Sequence, residues 1–427
     1  MNKRLPNVRV NHPERHQVEM RFHSLDEMLD TDHLARTVWR FVETLDLSPL
    51  YENIEVSSTQ AGRSATNPHV LLSLWLLATL EGIGSARELA RRCERDIPYM
   101  WLCGGIGINH HTLSDFRVEH GDFLESLLVD GVASLIDKGL VSLETIAQDG
   151  MRVRASAGKS SFRREPTLIQ LREQATEHLN RIKSENETES NRQSGDARRK
   201  AAEERAAQER QERIEEAAET VKELQLKREK RKKGTGHEAR CSTTDPEARR
   251  MKMPNGGYNP AYNVQFSSDT NARVIVGVDV TNEGSDSHEM VPMLASLKDN
   301  YGRIPQQYVV DAGFASKEAV TSMEQNGTQV IAPVPRADEA IRNNKDPYVP
   351  QPGETEEFGK FRQRMGKQAY RDVLKMRPSQ AEYPNAVCRN QGLQQFNVRG
   401  LLKAKAVALW HALAFNFRRM LTMKLIS

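Results

Sequence analysis

The chain has 427 residues, with 61 Lys and Arg against 58 Asp and Glu, so its formal net charge is only +3. This length accommodates two or three domains, and so weak a net charge means that any nucleic-acid contact depends on local patches of charge. The four cysteines show no Cys-x-x-Cys spacing, which argues against a zinc site, and the lack of a long apolar run predicts a soluble cytoplasmic protein with no membrane partner.

Residues 1–140 predict a helical N-terminal domain. Asn67-Pro68 begins an apolar helix, Ser85 begins a short basic helix, and a glycine turn leads into a further basic helix. Helix, turn and basic helix are compatible with a helix-turn-helix that reads DNA, and equally with a plain bundle whose Leu71, Leu74 and Trp75 face a partner subunit. The candidate DNA contacts are Arg87, Arg91, Arg92 and Arg117.

Residues 159–253 predict a charged helical hairpin inserted into the rest of the chain. Two helical stretches, separated by a polar break at 185–199, carry narrow apolar seams typical of an antiparallel coiled coil. The seam residues are Leu168, Leu171, Ala175, Leu179, Ile182, Ile214, Ala217, Val221 and Leu224. The second helix ends in the basic block 227–233, which is either a solvated helix end or a contact to DNA phosphates.

Residues 141–158 and 254–427 predict a mixed sheet flanked by helices, and therefore an α/β domain. The first strand is predicted to end at Asp149 and a later one at Asp311, with glycine following each acid closely. Glycine permits a sharp turn that leaves a carboxylate at the strand's C-terminal edge. One further strand alternates cleanly, which predicts that its four valines share one face: Val274, Val276, Val278 and Val280.

Glu382, on a basic C-terminal helix, adds a third carboxylate to the two strand-end acids. Three carboxylates suit one or two Mg²⁺ ions for phosphodiester chemistry, since hard divalent cations take oxygen ligands. The alternative is that Asp149 and Asp311 only form turns. Two rival acids are assigned other roles, with Asp279 expected to be solvated and Asp286 to begin a helix.

Several motifs, taken in their order along the chain, resemble those of bacterial insertion-sequence transposases of the DDE class. The resemblance covers nearly the whole chain. They include Gln-Asp149-Gly, Gly-Tyr258-Asn-Pro-Ala-Tyr-Asn-Val-Gln265, Asp311-Ala-Gly-Phe, Arg377-Pro-x-x-x-Glu382 and Phe396-x-x-Arg399-Gly. The resemblance implies an RNase H-like domain in which Asp149, Asp311 and Glu382 hold two Mg²⁺ or Mn²⁺ ions. It also implies that the protein cuts the 3′ ends of an element with water and joins the freed 3′-hydroxyls to target DNA.

The implied partners are the terminal inverted repeats of the element and the target DNA. The active complex is expected to be a homodimer or larger, in a bacterial cytoplasm and associated with the nucleoid. Further DNA contacts are expected from Arg154, Arg389 and Arg399. Arg389 stands about two helical turns beyond Glu382, where family members often carry lysine.

One departure from the family pattern lies just after Glu382, where Asn385-Ala386 replaces a Phe-Gly pair and Pro384 distorts a helix unless it lies in the first turn. Two other functions therefore stay open. One is a catalytically impaired, transposase-derived DNA-binding protein, and the other is a metal-dependent nuclease without strand transfer.

Overall fold

A computed structural model describes residue 16 and residues 22–52, 54, 65–188 and 194–426. The N-terminal part is helical, as predicted. Its helices are α1 (Leu34–Glu43), α2 (Ser48–Glu52), α3 (Pro68–Leu80), α4 (Ala86–Arg95), α5 (Ile97–Cys103), α6 (His110–Glu119) and α7 (Gly121–Asp137). Two of the predicted helix starts are confirmed, because the Asn67 side chain accepts a hydrogen bond from the His69 amide and the Ser85 side chain accepts one from the Glu88 amide.

Strands and two long helices follow. They are β1 (Thr145–Arg154), β2 (Phe162–Arg163), α8 (Glu165–Thr188), α9 (Ser194–Arg231), β3 (Cys241–Ser242), β4 (Arg249–Lys252), β5 (Tyr258–Asp269) and β6 (Ile275–Thr281). The C-terminal part then contains α10 (Met290–Tyr301), β7 (Gln307–Val309), α11 (Lys317–Gln325), β8 (Gln329–Ile331), α12 (Ala337–Arg342), α13 (Glu356–Met365), α14 (Gln368–Arg377), a π-helical turn (Pro378–Glu382), α15 (Tyr383–Asn390) and α16 (Leu401–Thr422).

The main sheet is mixed and centres on β1. On one side, β5 pairs antiparallel with β1 and carries both β6 and the short β4 along its other edge. On the other side, β7 pairs parallel with β1, and β8 parallel with β7. This confirms the predicted mixed α/β fold with a helical N-terminal region and a charged helical insertion, and its order is consistent with an RNase H-like sheet.

The first strand does not end at Asp149, as the sequence predicts, but runs on to Arg154. Gly150 therefore lies inside the strand, paired with Gln265, and forms no turn. A Cβ at Gly150 would collide with the side chains of Asp286 and Gln265. Glycine is required at position 150 because the neighbouring side chains leave no room for a Cβ atom. Asp149 therefore lies in the middle of a paired strand.

The prediction that four alternating valines share one face is also wrong. A bulge shifts the β5–β6 register between Ser267 and Ser268, so that Val276 is skipped. As a result Val274 and Val276 join the hydrophobic cluster beside α10, while Val278 and Val280 join the cluster beside α16.

Asp286, expected to begin a helix, is instead a buried hydrogen-bond acceptor. Its carboxylate accepts from Asn263 Nδ2 at 2.7 Å and Gln265 Nε2 at 2.8 Å, and pairs with Arg152 at 2.8 Å. It therefore cross-links β1, β5 and the segment before α10. Asp279, expected to be solvated, is half-buried.

The inserted helices α8 and α9 form the predicted hairpin between β1 and β5. Near the sheet, Leu168 packs with Val221 and Cys241, and farther out Leu179 and Ile182 contact α9. Helix α8 ends at Thr188 and helix α9 begins at Ser194, so both helices extend into the polar break predicted at 185–199. The centre of that break, 189–193, lies outside the described residues.

The N-terminal helices share one hydrophobic cluster with α16 and with one face of the sheet. The Trp75 and Trp410 rings lie 6.4 Å apart, and Trp410 Nε1 donates to the Arg117 carbonyl at 3.0 Å. Leu71, Leu74 and Trp75 are 5%, 0% and 1% exposed, so the alternative in which these three side chains face a partner subunit is wrong. Within the described ranges, no helix is both long and apolar enough to cross a bilayer.

Candidate active site

The three predicted acids occupy three different elements. Asp149 lies in β1, Asp311 follows β7 by two residues, and Glu382 is the last residue of the π-helical turn. The last pair of this parallel ladder joins Ala147 to Val309, and Asp149 and Asp311 each lie two residues beyond it on the two adjacent segments. Adjacent strands lie about 4.8 Å apart, so both aspartates are at the same end of this ladder.

Arg377 and Asn385 complete the surroundings of Asp149. Arg377 lies between two of the acids, with Nη2 2.9 Å from Glu382 Oε1 and Nη1 3.6 Å from Asp149 Oδ1. Asn385 Nδ2 donates to Asp149 Oδ2 at 2.8 Å. The π-helical turn packs against β1, and Arg377 bonds to Glu382 five residues on, which is the spacing of the i→i+5 hydrogen bonds of a π-helix.

The electrostatic environment of Asp149 includes charges from both of the other acids. Burial raises the pKa of Asp149 to about 6, and the negative charges of Asp311 and Glu382 raise it as well. The Arg377 guanidinium and the Asn385 hydrogen bond act in the opposite direction. A carboxyl whose pKa is raised by burial and by two neighbouring acids is typical of a functional site.

The fold and these contacts agree with the comparisons to known proteins. The protein-family model described as "Transposase domain (DUF772)" matches residues 23–119, and the family model described as "Transposase DDE domain" matches residues 234–417. The chain belongs to the family of insertion-sequence DDE transposases. No curated protein and no solved structure matches it. Neither family match reaches Asp149 or the helices α8 and α9, so the role of Asp149 depends on the geometry described above.

DDE transposases generally use divalent metal ions, and the acids of this transposase fit such ions in chemical type. Three carboxylates on separate elements offer the oxygen ligands that Mg²⁺ and Mn²⁺ prefer. Among the described residues, however, no group of three His, Cys, Asp or Glu is gathered closely enough to hold an ion. The reason is visible in the contacts, because the Arg377 guanidinium lies between Asp149 and Glu382.

The transposase has four candidate DNA contacts on its N-terminal helices, and three of them are on α4. Arg87 and Arg91 are exposed and Arg92 is partly exposed. Arg91 and Arg92 both pair with Glu88 on the same helix, at 2.6 and 3.3 Å, whereas Arg87 makes no ion pair with any described residue. These side chains are accessible to a ligand.

Arg117, predicted as an exposed contact on α6, is buried, and this prediction is wrong. Its side chain donates to the Gly84 carbonyl, and its guanidinium lies 4.8 Å from the centre of the Trp75 ring. Desolvation lowers the pKa of Arg117 to about 10. The residue holds the α3–α4 turn against α6 and cannot reach a base edge in this conformation.

The remaining candidate contacts lie on the C-terminal part and at the end of β1. Arg154 and Arg399 are exposed, and Arg389 is half-buried in the last turn of α15. The Arg154 amide donates to the Gln394 carbonyl at 3.1 Å, which joins β1 to the loop that leads to Arg399. None of these three arginines forms an ion pair within the described part of the chain.

Two site residues carried no assigned role in the sequence-based prediction. Arg377 was recognised only as part of a motif, and Asn385 only as a departure from the family pattern. Pro384 lies in the first turn of α15, where proline is tolerated, so the helix still presents Asn385 to Asp149. A short amide three residues after the third acid was the signal available in the sequence.

Proposed function

We propose that this transposase binds the terminal inverted repeats of its insertion sequence, cuts DNA there, and joins the cut ends to target DNA. What supports the proposal is that Asp149 lies in β1, that Asp311 follows the strand paired with β1, and that Arg377 contacts both Asp149 and Glu382. An N-terminal DNA-binding domain (1–140), a divided catalytic domain (141–158 and 254–427) and an insertion (159–253) are part of the same proposal.

In this proposal Asp149, Asp311 and Glu382 hold Mg²⁺ or Mn²⁺. Such an ion, when bound, activates an attacking oxygen and stabilises the leaving one. Until an ion binds, the Arg377 guanidinium occupies the space between Asp149 and Glu382 and attracts both carboxylates. It must move away before the acids can bind an ion. Asn385 orients the Asp149 carboxylate through its Nδ2, and its buried Oδ1, which has no described hydrogen-bond partner, is free to accept a hydrogen bond from water or DNA.

Basic residues position the DNA in the same proposal. Arg389, Arg154 and Arg399 contact phosphates, which fixes the register of the duplex without reading its sequence. Recognition of the repeats falls to α4, whose exposed Arg87 forms no ion pair with a described residue. Side chains on an exposed helix can reach base edges in the major groove.

The decisive experiment incubates the full-length protein with Mg²⁺ and a linear DNA that carries the ends of the element, together with a target plasmid. End cleavage and joined products are scored separately. Asp311→Ala should abolish both reactions while leaving DNA binding within about twofold, whereas the control Asp299→Ala, at an exposed position on α10, should behave as wild type.

Each contrary outcome would assign a different function to this protein. Cleavage at the wild-type rate by Asp311→Ala would refute the assignment of the acids. Cleavage by the wild type without joining would identify a nuclease. Binding without cleavage in both Mg²⁺ and Mn²⁺ would identify an impaired, transposase-derived DNA-binding protein.

A further inference from the structure

A basic cleft lies where the hairpin returns to the sheet, and we refer to it as the basic groove. It is lined by the end of α9, the segment around β3, the edge strand β4 and the loop after β6. Six of its cations make no ion pair with any described residue: Arg164, Arg231, Arg240, Arg249, Arg250 and Lys252. Acids are scarce on the walls of the groove.

The positive charge of the groove is poorly balanced. Two further cations line it and do have partners, since Arg228 pairs with Glu238, and Lys227 lies 3.5 Å from Glu283. The Lys227 pair is exposed on both sides, and such pairs contribute little. A concentration of like charge in a cleft costs free energy by repulsion and attracts a polyanion.

The cations of the groove are attached to ordered elements. The turn after α9 is closed by Glu229, whose carboxylate accepts from the Gly234 amide at 2.6 Å and the Gly236 amide at 2.9 Å. Arg249 is fixed by a 2.6 Å hydrogen bond from Nη1 to the Pro246 carbonyl. The groove is therefore a formed surface whose cations are presented together, not a flexible charged tail.

We infer that the basic groove binds the sugar–phosphate backbone of duplex DNA; this inference rests on the proposed function. Tyr258 is the exposed aromatic residue on the described walls, so the groove lacks the series of aromatic platforms on which single-stranded bases stack. Arginine and lysine without carboxylate partners match the regularly spaced phosphates of a duplex.

The groove is separate from the acidic site. Arg249 pairs with Ala261 of β5, whereas Asp149 pairs with Phe266, five residues farther along the same strand. Five strand residues span about 17 Å, so the phosphates held in the groove are not the one at which the acids act. The inserted hairpin and the edge of the catalytic sheet thus build one DNA-binding surface between them.

The test measures binding of the full-length protein to a duplex of roughly 30 base pairs, in EDTA, over a range of salt concentrations. The groove variant combines Arg231→Gln, Arg240→Gln, Arg250→Gln and Lys252→Gln. It should reduce the slope of log K against log salt by about 3 to 4, at roughly 0.9 per phosphate contact, and weaken binding at 0.1 M salt by at least about a hundredfold. The loss should be the same for repeat and scrambled sequences.

The control variant Arg172→Gln with Lys183→Gln changes exposed cations on the same hairpin, away from the groove, and should keep the wild-type slope. To separate a loss of binding from a loss of stability, the single change Lys252→Glu on the edge strand is measured as well and should weaken binding by about tenfold or more. A wild-type slope in both groove variants would overturn the inference, as would a larger loss for single-stranded DNA or RNA than for the duplex.

This measurement is independent of cleavage. Asp311→Ala should bind with the wild-type salt slope, since that acid lies outside the groove. A protein that binds duplex DNA through the groove yet never cuts it would refute the proposed function and leave the inference standing. A protein that cuts and joins DNA with an unchanged slope in the groove variants would do the reverse.

Discussion

Replacing Asp149 with asparagine should change the stability of the fold in a way that depends on pH. Burial raises the pKa of Asp149 to about 6 in the folded protein, against an ordinary value of 3.8 when unfolded. Between these values the folded state binds a proton that the unfolded state has released. Stability is therefore lost as the pH rises through this window, by about 3 kcal/mol in total for a shift of about two units.

The measurement compares the free energy of unfolding of wild type and Asp149→Asn by urea titration in EDTA, at pH 5 and at pH 8. About half of the window lies above pH 5, so the variant should gain about 1.4 kcal/mol relative to wild type between the two pH values. The amide keeps an oxygen that can accept the hydrogen bond from Asn385.

The matched control is Asp46→Asn. Hydrogen bonds from the Ser48 side chain and amide hold the pKa of Asp46 below its usual range, so it is ionised at both pH values and its difference from wild type should not change. A stability difference for Asp149→Asn that is equal at pH 5 and pH 8 would refute the argument that this carboxyl is desolvated beside two other acids.

Two further predictions concern Arg377 and the shared core. Arg377→Gln removes the cation between Asp149 and Glu382, so Mg²⁺ should bind about tenfold more tightly to this variant at pH 8, as measured by calorimetry. The control variant Lys375→Gln should bind Mg²⁺ as wild type does. Weaker Mg²⁺ binding by the Arg377 variant would contradict this prediction. Leu74→Ala should lower the free energy of unfolding by about 2–5 kcal/mol at every protein concentration, because Leu74 is fully buried. The control Leu402→Ala, at an exposed position, should lower it by less than about 0.5 kcal/mol. An unfolding midpoint that rises with protein concentration would instead indicate a subunit interface.

Much of the architecture was predictable because it depends on local periodicity. Short apolar runs identified the strand that carries Asp149 and the strand just before Asp311, and narrow seams identified the hairpin. The length of β1 was not predictable, because Gly150 is a common turn residue and only its close packing against Gln265 and Asp286 keeps it in a strand.

The site was only partly predictable, because side-chain burial depends on contacts between distant segments. Arg117 has the sequence context of an exposed helical arginine, yet α16 and Trp75 cover it. The link between Asn385 and Asp149 joins residues that no local pattern relates. The three acids themselves were predicted from two apolar strands, a basic helix and the family resemblance, and their metal and DNA roles stay predictions.

The position of the hairpin affects the order in which the chain can fold. The longest pairing in the sheet joins β1 to β5, and between their paired ends, Arg154 and Ala261, lies the entire insertion. Closing so long a segment is entropically costly and slows folding, but a helical hairpin forms from local contacts and returns the chain to its starting point. The segment between β2 and β3 can therefore act as a folding unit that shortens the effective loop, so that helix breakers placed within α8 would delay assembly of a sheet that they do not touch.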